Sequence, residues 1–144
     1  MATSNAATNY LERRLLHFLF KNNSLSFSSP GDSIYVGLCT AVSAAETGSV
    51  TAASFGGYAR QQVAAASWTT IGADSTDTQT AKNTSAIEFP AKTDSGNVTI
   101  THVIIADASS SGNILFVGAL DASKTLAQND IFRINATNLS IELK

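Results

Sequence analysis

From residue 33 to the end of the chain, apolar residues tend to fall at every second position in short runs, and turn residues separate the runs. A period of two marks strands with one buried face, because successive side chains leave opposite faces of the backbone. In residues 33–40, Ile34, Val36 and Leu38 take one face, and Tyr35, Gly37 and Cys39 take the other. Further strands are predicted over residues 58–66, 86–89, 98–106, 114–120, and 130–134 continuing to 139–143. The last of these alternates, with Leu139, Ile141 and Leu143 inward and Ser140 and Glu142 outward. Val103-Ile104-Ile105 is apolar on both faces, as a central or sandwiched strand would be. Residues 109–113 predict a hairpin turn. The small, polar residues 41–57 and 69–82 read as loops, the second a long solvated excursion. No helix interrupts these strands, so the expected fold is mainly β: an antiparallel β-sandwich or jelly-roll-like barrel.

One α-helix precedes them, predicted as an N-terminal arm over about residues 9–22. Asn9 caps it, and Glu12 three residues on completes a capping box. Leu11, Leu15, Phe18 and Leu19 recur at helical spacing, while Arg13, Arg14, His17 and Lys21 take the other side. Tyr10, Leu16 and Phe20 widen the apolar arc beyond one stripe. A helix this apolar on so small a body is expected to meet both that body and a second surface. Asn22-Asn23-Ser24 ends it, and residues 28–32 form a turn cluster. The 144 residues fit one domain, 1–144, large enough to bury a core without staples.

Charge is sparse and uneven. Only 14% of residues are charged, against about 25% in an ordinary globular protein. Ser, Thr, Ala, Asn and Gly fill the difference, giving a polar, weakly charged surface that expects neighbours. Arg13, Arg14 and Lys21 against Glu12 give residues 1–21 a net +2, which leaves −4 of the total −2 on residues 22–144. The acidic balance excludes a general nucleic-acid binder. No run approaches the ~20 apolar residues of a membrane span, and the first residues lack the pattern of a signal peptide. Without a secretory signal, triplets such as Asn83-Thr84-Ser85 read as chance in a Ser/Thr-rich chain.

Few residues are available for chemistry. The one cysteine, Cys39, closes no intrachain disulfide and sits in an apolar run as a small hydrophobe. His17 and His102 have no second metal-type ligand at close spacing. A Cys39–His102 nucleophile pair has no local support. Asp74-Ser75-Thr76-Asp77 falls short of a calcium loop. Gly56-Gly57 lacks the lysine and the strand–loop–helix context of a phosphate cradle. No catalytic residue, cofactor or metal is therefore expected. Gly56-Gly57 serves instead a positive φ or a close backbone approach where the chain enters a strand. Tyr58 and Arg60 then share a strand face. Either they form part of an interface, or Tyr58 packs in the core while Arg60 pairs with a carboxylate.

Several segments, taken in order, carry a resemblance: Asn9-Tyr10-Leu11-Glu12, Tyr35-Val36-Gly37-Leu38-Cys39-Thr40-Ala41, Gly56-Gly57-Tyr58-Ala59-Arg60-Gln61 and Ile87-Glu88-Phe89-Pro90-Ala91. Thr101-His102-Val103-Ile104-Ile105-Ala106-Asp107-Ala108, Gly112-Asn113-Ile114-Leu115-Phe116-Val117-Gly118-Ala119-Leu120, Ser123-Lys124-Thr125 and Asn138-Leu139-Ser140-Ile141 follow. Together they span nearly the whole chain, which resembles a family of small virion structural proteins of tailed bacteriophages, tail-fibre-like or found as capsid cement. Residues 126–130 and 69–82 depart from the family pattern. The resemblance implies a non-enzymatic building block of a symmetric particle. The first expectation is a cement or decoration protein on the outer capsid surface, bound to the major capsid protein and to copies of itself. The second is a tail-fibre or tail-adaptor module for host attachment, with other tail or fibre proteins as partners and Trp68 and Tyr58 stacking on sugar. Neither involves nucleic acid or membrane. The residues expected at the partner interface are Arg13, Arg14, His17, Phe20, Lys21, Tyr58 and Arg60.

Overall fold

The computed structural model describes residues 6–21, 34–69 and 79–143. Strands β1 (Ala6–Ala7), β2 (Tyr35–Ala44), β3 (Ser49–Ala52), β4 (Gln61–Gln62), β7 (Val98–Ala106) and β8 (Ile114–Leu126) form one antiparallel sheet in the order β1-β8-β7-β2-β3, with β4 also on β2. Two small pairs complete the strands: β5 (Gln79–Lys82) with β10 (Ser140–Leu143), and β6 (Ile87–Glu88) with β9 (Arg133–Ile134). The large sheet curls into a half-barrel, so the chain is mainly β and antiparallel with one helix, α1 (Asn9–Lys21), near its N-terminus. The register shifts twice between β2 and β3 and twice between β7 and β8. Such bulges bend the strands that carry them and increase local twist, which is how a flat sheet becomes a curved one.

The alternation expected in the first strand is realised as two cores on opposite faces. Val36 and Leu38 on β2 align with Ile105 and Val103 on β7, and these four join the larger core with Phe55, Phe89, Leu115, Phe132 and Leu139. Cys39, Ile104 and Val117 face the other way and form a smaller core with Ala45. The central strand β7 is therefore buried on both sides through Val103-Ile104-Ile105, as its composition requires.

Several boundaries differ from the sequence expectation. Residues 41–44 extend β2, and residues 49–52 form β3 inside a segment expected to be a loop. Only Gln61–Gln62 of residues 58–66 is strand, and Ala65–Ser67 forms a 3-10 turn. Residues 79–82 are not solvated excursion but β5, because β10 supplies backbone partners from 58 or more positions away along the chain. The turn at 28–32, the helix stop at 22–24, the Asp74–Asp77 cluster and the side chain of Leu143 lie outside the described residues.

Candidate functional site

Helix α1 starts one residue earlier than the capping-box reading placed it. Thr8, not Asn9, takes the cap: its Oγ1 accepts from the Leu11 amide at 3.4 Å, and its carbonyl accepts from Glu12 at 3.1 Å. Thr8 is buried because its hydroxyl also donates to the Ile114 carbonyl at 2.6 Å while its amide donates to Leu115 at 2.9 Å. The Asn9 amide donates to the Glu46 carbonyl at 2.6 Å. These bonds clamp the helix start to β8 and to the β2–β3 turn, and Tyr10 and Leu11 pack against the larger core.

None of the helix residues is buried, and beyond the first turn only Arg14 and His17 are half-buried. Leu15, Leu16, Phe18, Leu19 and Phe20 are 44%, 56%, 48%, 59% and 76% exposed. At 100° per residue they cover one broad arc, and Arg13, Arg14, His17 and Lys21 occupy the opposite side. The Arg14 guanidinium lies over the Tyr10 ring at 5.3 Å, so one cation is held against the helix, while Arg13 and Lys21 are exposed. An amphipathic helix normally spends its apolar arc on its own core; this one presents it outward.

Tyr58 and Arg60 belong to a different part of the molecule and make bonds within the chain. The Tyr58 hydroxyl accepts from the Leu38 amide at 2.8 Å and lies 3.4 Å from the Leu38 carbonyl. It fills the gap on the β2 edge between the segments paired with β3 and with β4. Its ring packs on Phe55 at 5.1 Å and stacks on Phe89 at 6.3 Å. The core-packing alternative therefore describes Tyr58. Arg60 meets carbonyls, not a carboxylate: Nη1 donates to Ala108 and Ser111 at 2.9 and 2.8 Å. It thereby fastens the β7–β8 hairpin tip, which Asp107 closes by accepting from the Asn113 amide and side chain at 2.7 and 2.8 Å. Gly37 is bare where these side chains cross; a Cβ there would lie 3.1 Å from the Tyr58 hydroxyl and 3.2 Å from Arg60 Cγ.

The paired glycines make the close approach expected of them, against a segment that the sequence did not single out. Gly57 has φ of 87°, and a Cβ on it would sit 2.9 Å from the Ala91 carbonyl. A Cβ on Gly56 would collide with the Thr93 hydroxyl. The anchor of that segment is Lys92, only 2% exposed. Its ammonium donates to the Asp94 carbonyl at 2.6 Å, the Asp94 carboxylate at 2.8 Å and the Ser95 carbonyl at 3.3 Å. The Lys92 ammonium, helped by the Gly56 amide, holds the Asp94 carboxyl below the usual carboxylate range. Asn83, fully buried, is a second unanticipated clamp: it donates to Ser85 and Asn135 at 2.8 and 2.9 Å and accepts from Leu139 at 2.9 Å.

The register places Cys39 directly opposite His102. Burial pushes the thiol up to about 11 and pushes the imidazole below its ordinary value. Both groups are thus held neutral, and His102 Nδ1 is engaged with the Thr101 hydroxyl at 2.8 Å. A protonated thiol is a poor nucleophile. No group of three or more potential metal ligands occurs among the described residues, and none of their helices is long and apolar enough to cross a membrane.

The remaining feature is a groove of about 1000 Å³ at the open side of the half-barrel, between β7–β8 and residues 131–142. Phe116, Leu120 and Ile141 line it, along with Ile131, which is 51% exposed. Among the described residues, the outward apolar side of α1 and this groove both expose large apolar side chains.

No curated protein matches the sequence. A family description does: that of the podophage GP4 fiber I protein gp80 matches residues 6–142. The match takes in the helix, every described strand except the final residue of β10, and the groove, and it bears out the resemblance to tailed-phage virion proteins. The chain belongs to the family of the podophage GP4 fiber I protein gp80, a family of tailed-phage virion structural proteins.

Proposed function

We propose that this chain is a fibre-type structural subunit of a tailed-phage virion that works by adhesion and carries out no catalysis. The observation that carries the reading is the distal half of α1, whose five large apolar side chains are all exposed. Leaving such a patch in water is unfavourable by about 25 cal/mol per Å², and large exposed apolar patches mark interaction surfaces. The rigid clamps at Thr8, Tyr58, Asn83 and Lys92 suit a subunit that must hold its shape under load. Between the two expectations from sequence, the family's fibre description favours tail fibre or tail adaptor over capsid cement. Tyr58 is engaged within the fold and Trp68 packs against the larger core, so a stacked sugar platform draws no support from them.

Immunogold labelling of purified virions, with an antibody against the exposed hairpin tip at 109–112, tests the location. Gold confined to the tail supports the fibre reading. A dense label over the capsid lattice returns the cement reading, and absence of the chain from virions refutes both.

A further inference from the structure

We propose that the distal half of α1, residues 15–21, seats in the groove between β8 and residues 131–142 of a second copy of this chain. The proposal rests on the reading of α1 as an adhesive surface and names what covers it. Three features of the molecule select this occupant.

Size comes first. Seven helical residues at 1.5 Å rise and a diameter of roughly 11 Å occupy about 1000 Å³, and the groove offers about 1000 Å³. The helix cannot fill its own groove, because Thr8 fixes its start to Ile114 and Leu115 and its distal side chains are exposed. The exposed apolar side chains amount to roughly 500 Å², most of the ~800 Å² that one partner supplies to a stable interface.

Charge comes second. Arg13, Arg14, His17 and Lys21 lie on the side of the helix opposite the apolar arc, and the rest of the chain is acidic. Among the charged groove residues, Arg133 already faces Glu88 at 3.7 Å. Asp121 and Glu142 against Lys124 and Arg133 leave the lining formally neutral, so it does not repel the basic helix. Packing two α1 helices against each other would instead bring like charges together, which disfavours a helix–helix pair.

Chemistry comes third. Both surfaces leave apolar groups in water: leucine and phenylalanine outward on one, and exposed Ile131 with half-buried Leu120 and Ile141 on the other. A helix in an apolar groove is a recurrent mode of recognition. Because helix and groove are different surfaces, the contact runs head to tail, and copies add in one direction until a ring closes or the array ends.

Sedimentation velocity on the full chain tests this, with circular dichroism to verify folding. Wild type should assemble with increasing concentration. Leu19→Glu with Phe20→Ser disables the helix, and Ile131→Glu disables the groove; each should weaken assembly roughly 30-fold or more. These positions are exposed, so the fold should not depend on them. An equimolar mixture of the two variants should form a 1:1 pair and stop there, since one intact helix meets one intact groove. If Ile131→Glu perturbs the dichroism spectrum, Asp121→Lys with Glu142→Lys replaces it and should weaken assembly about 10-fold. A wild type monomeric at every soluble concentration overturns the proposal, as does a groove variant that assembles like wild type. Neither result touches the virion labelling, so failure here and failure of the fibre reading are separable.

Discussion

The hydroxyl of Tyr58 sits 2.8 Å from the backbone nitrogen of Leu38, twenty residues away, in the gap between β3 and β4 on one edge of β2. The phenol acts as a one-atom substitute for a missing strand. Leu38 is fully buried, so its amide has no access to water if the hydroxyl is removed. Tyr58→Phe keeps the ring contacts with Phe55 and Phe89 and deletes only the bond. It should cost about 1–3 kcal/mol, the usual penalty for an unsatisfied buried donor. Urea denaturation of the two proteins measures it, and an unchanged midpoint would contradict the role.

Lys92 and Asp94 make the stability of the 90–96 segment depend on acid. The Asp94 carboxyl titrates below its ordinary value because the Lys92 ammonium beside it favours the charged form. The unfolded chain therefore binds this proton first as pH falls. The stabilisation is complete above about pH 4 and is lost as pH drops through the lower folded value. Asp94→Asn should remove this part of the pH dependence and lower stability at neutral pH. Lys92→Met should cost roughly 1–3 kcal/mol by withdrawing the donor from two carbonyls and a carboxylate. Urea midpoints across the acid range would show both effects, and parallel wild-type and Asp94→Asn curves would refute the linkage.

Asn83 uses both ends of its side chain to tie residues 83–85 to 135–139. Asn83→Ala would leave the Leu139 amide and two carbonyls without these partners, at a cost of about 3 kcal/mol or more. Asn83→Asp should be nearly as damaging, since a carboxylate cannot donate to Ser85 and Asn135. Thermal unfolding followed by far-ultraviolet dichroism checks both. A melting temperature within a degree or so of wild type for either variant would count against the clamp.

Cys39 should be chemically silent in the folded chain. Its thiol is buried and pushed up to about 11, so at pH 8 only about one molecule in a thousand carries a thiolate. An aromatic disulfide reagent at pH 8 should give no signal from native protein and one equivalent after denaturant is added. Prompt stoichiometric reaction of the native protein would show that the thiol is not held as described.

What could be read from the residues alone was whatever neighbours along the chain decide. The helix announced itself through spacing, and so did the doubly apolar strand at 103–105 and the hairpin at 109–113, because each depends on side chains a few positions apart. The basic and apolar sides of α1 were legible for the same reason. Strands β3 and β5 were not, since Ser49–Ala52 and Gln79–Lys82 carry little apolar pattern and become strands only when β2 and β10 offer backbone partners. Arg60 found carbonyls 48 and 51 residues away, where the sequence suggested either a partner interface or a carboxylate. Lys92 gave no sign of burial, because a buried ammonium depends on carbonyls that only the folded loop points at it. Tertiary structure also decided that the apolar arc of α1 faces outward: Thr8 anchors one end to β8, and the apolar side chains from Leu15 to Phe20 stay exposed among the described residues. Local patterns reveal the elements whose energies are local, and the others wait for partners from elsewhere in the chain. Which surfaces remain for a partner is settled by what the rest of the chain has already covered.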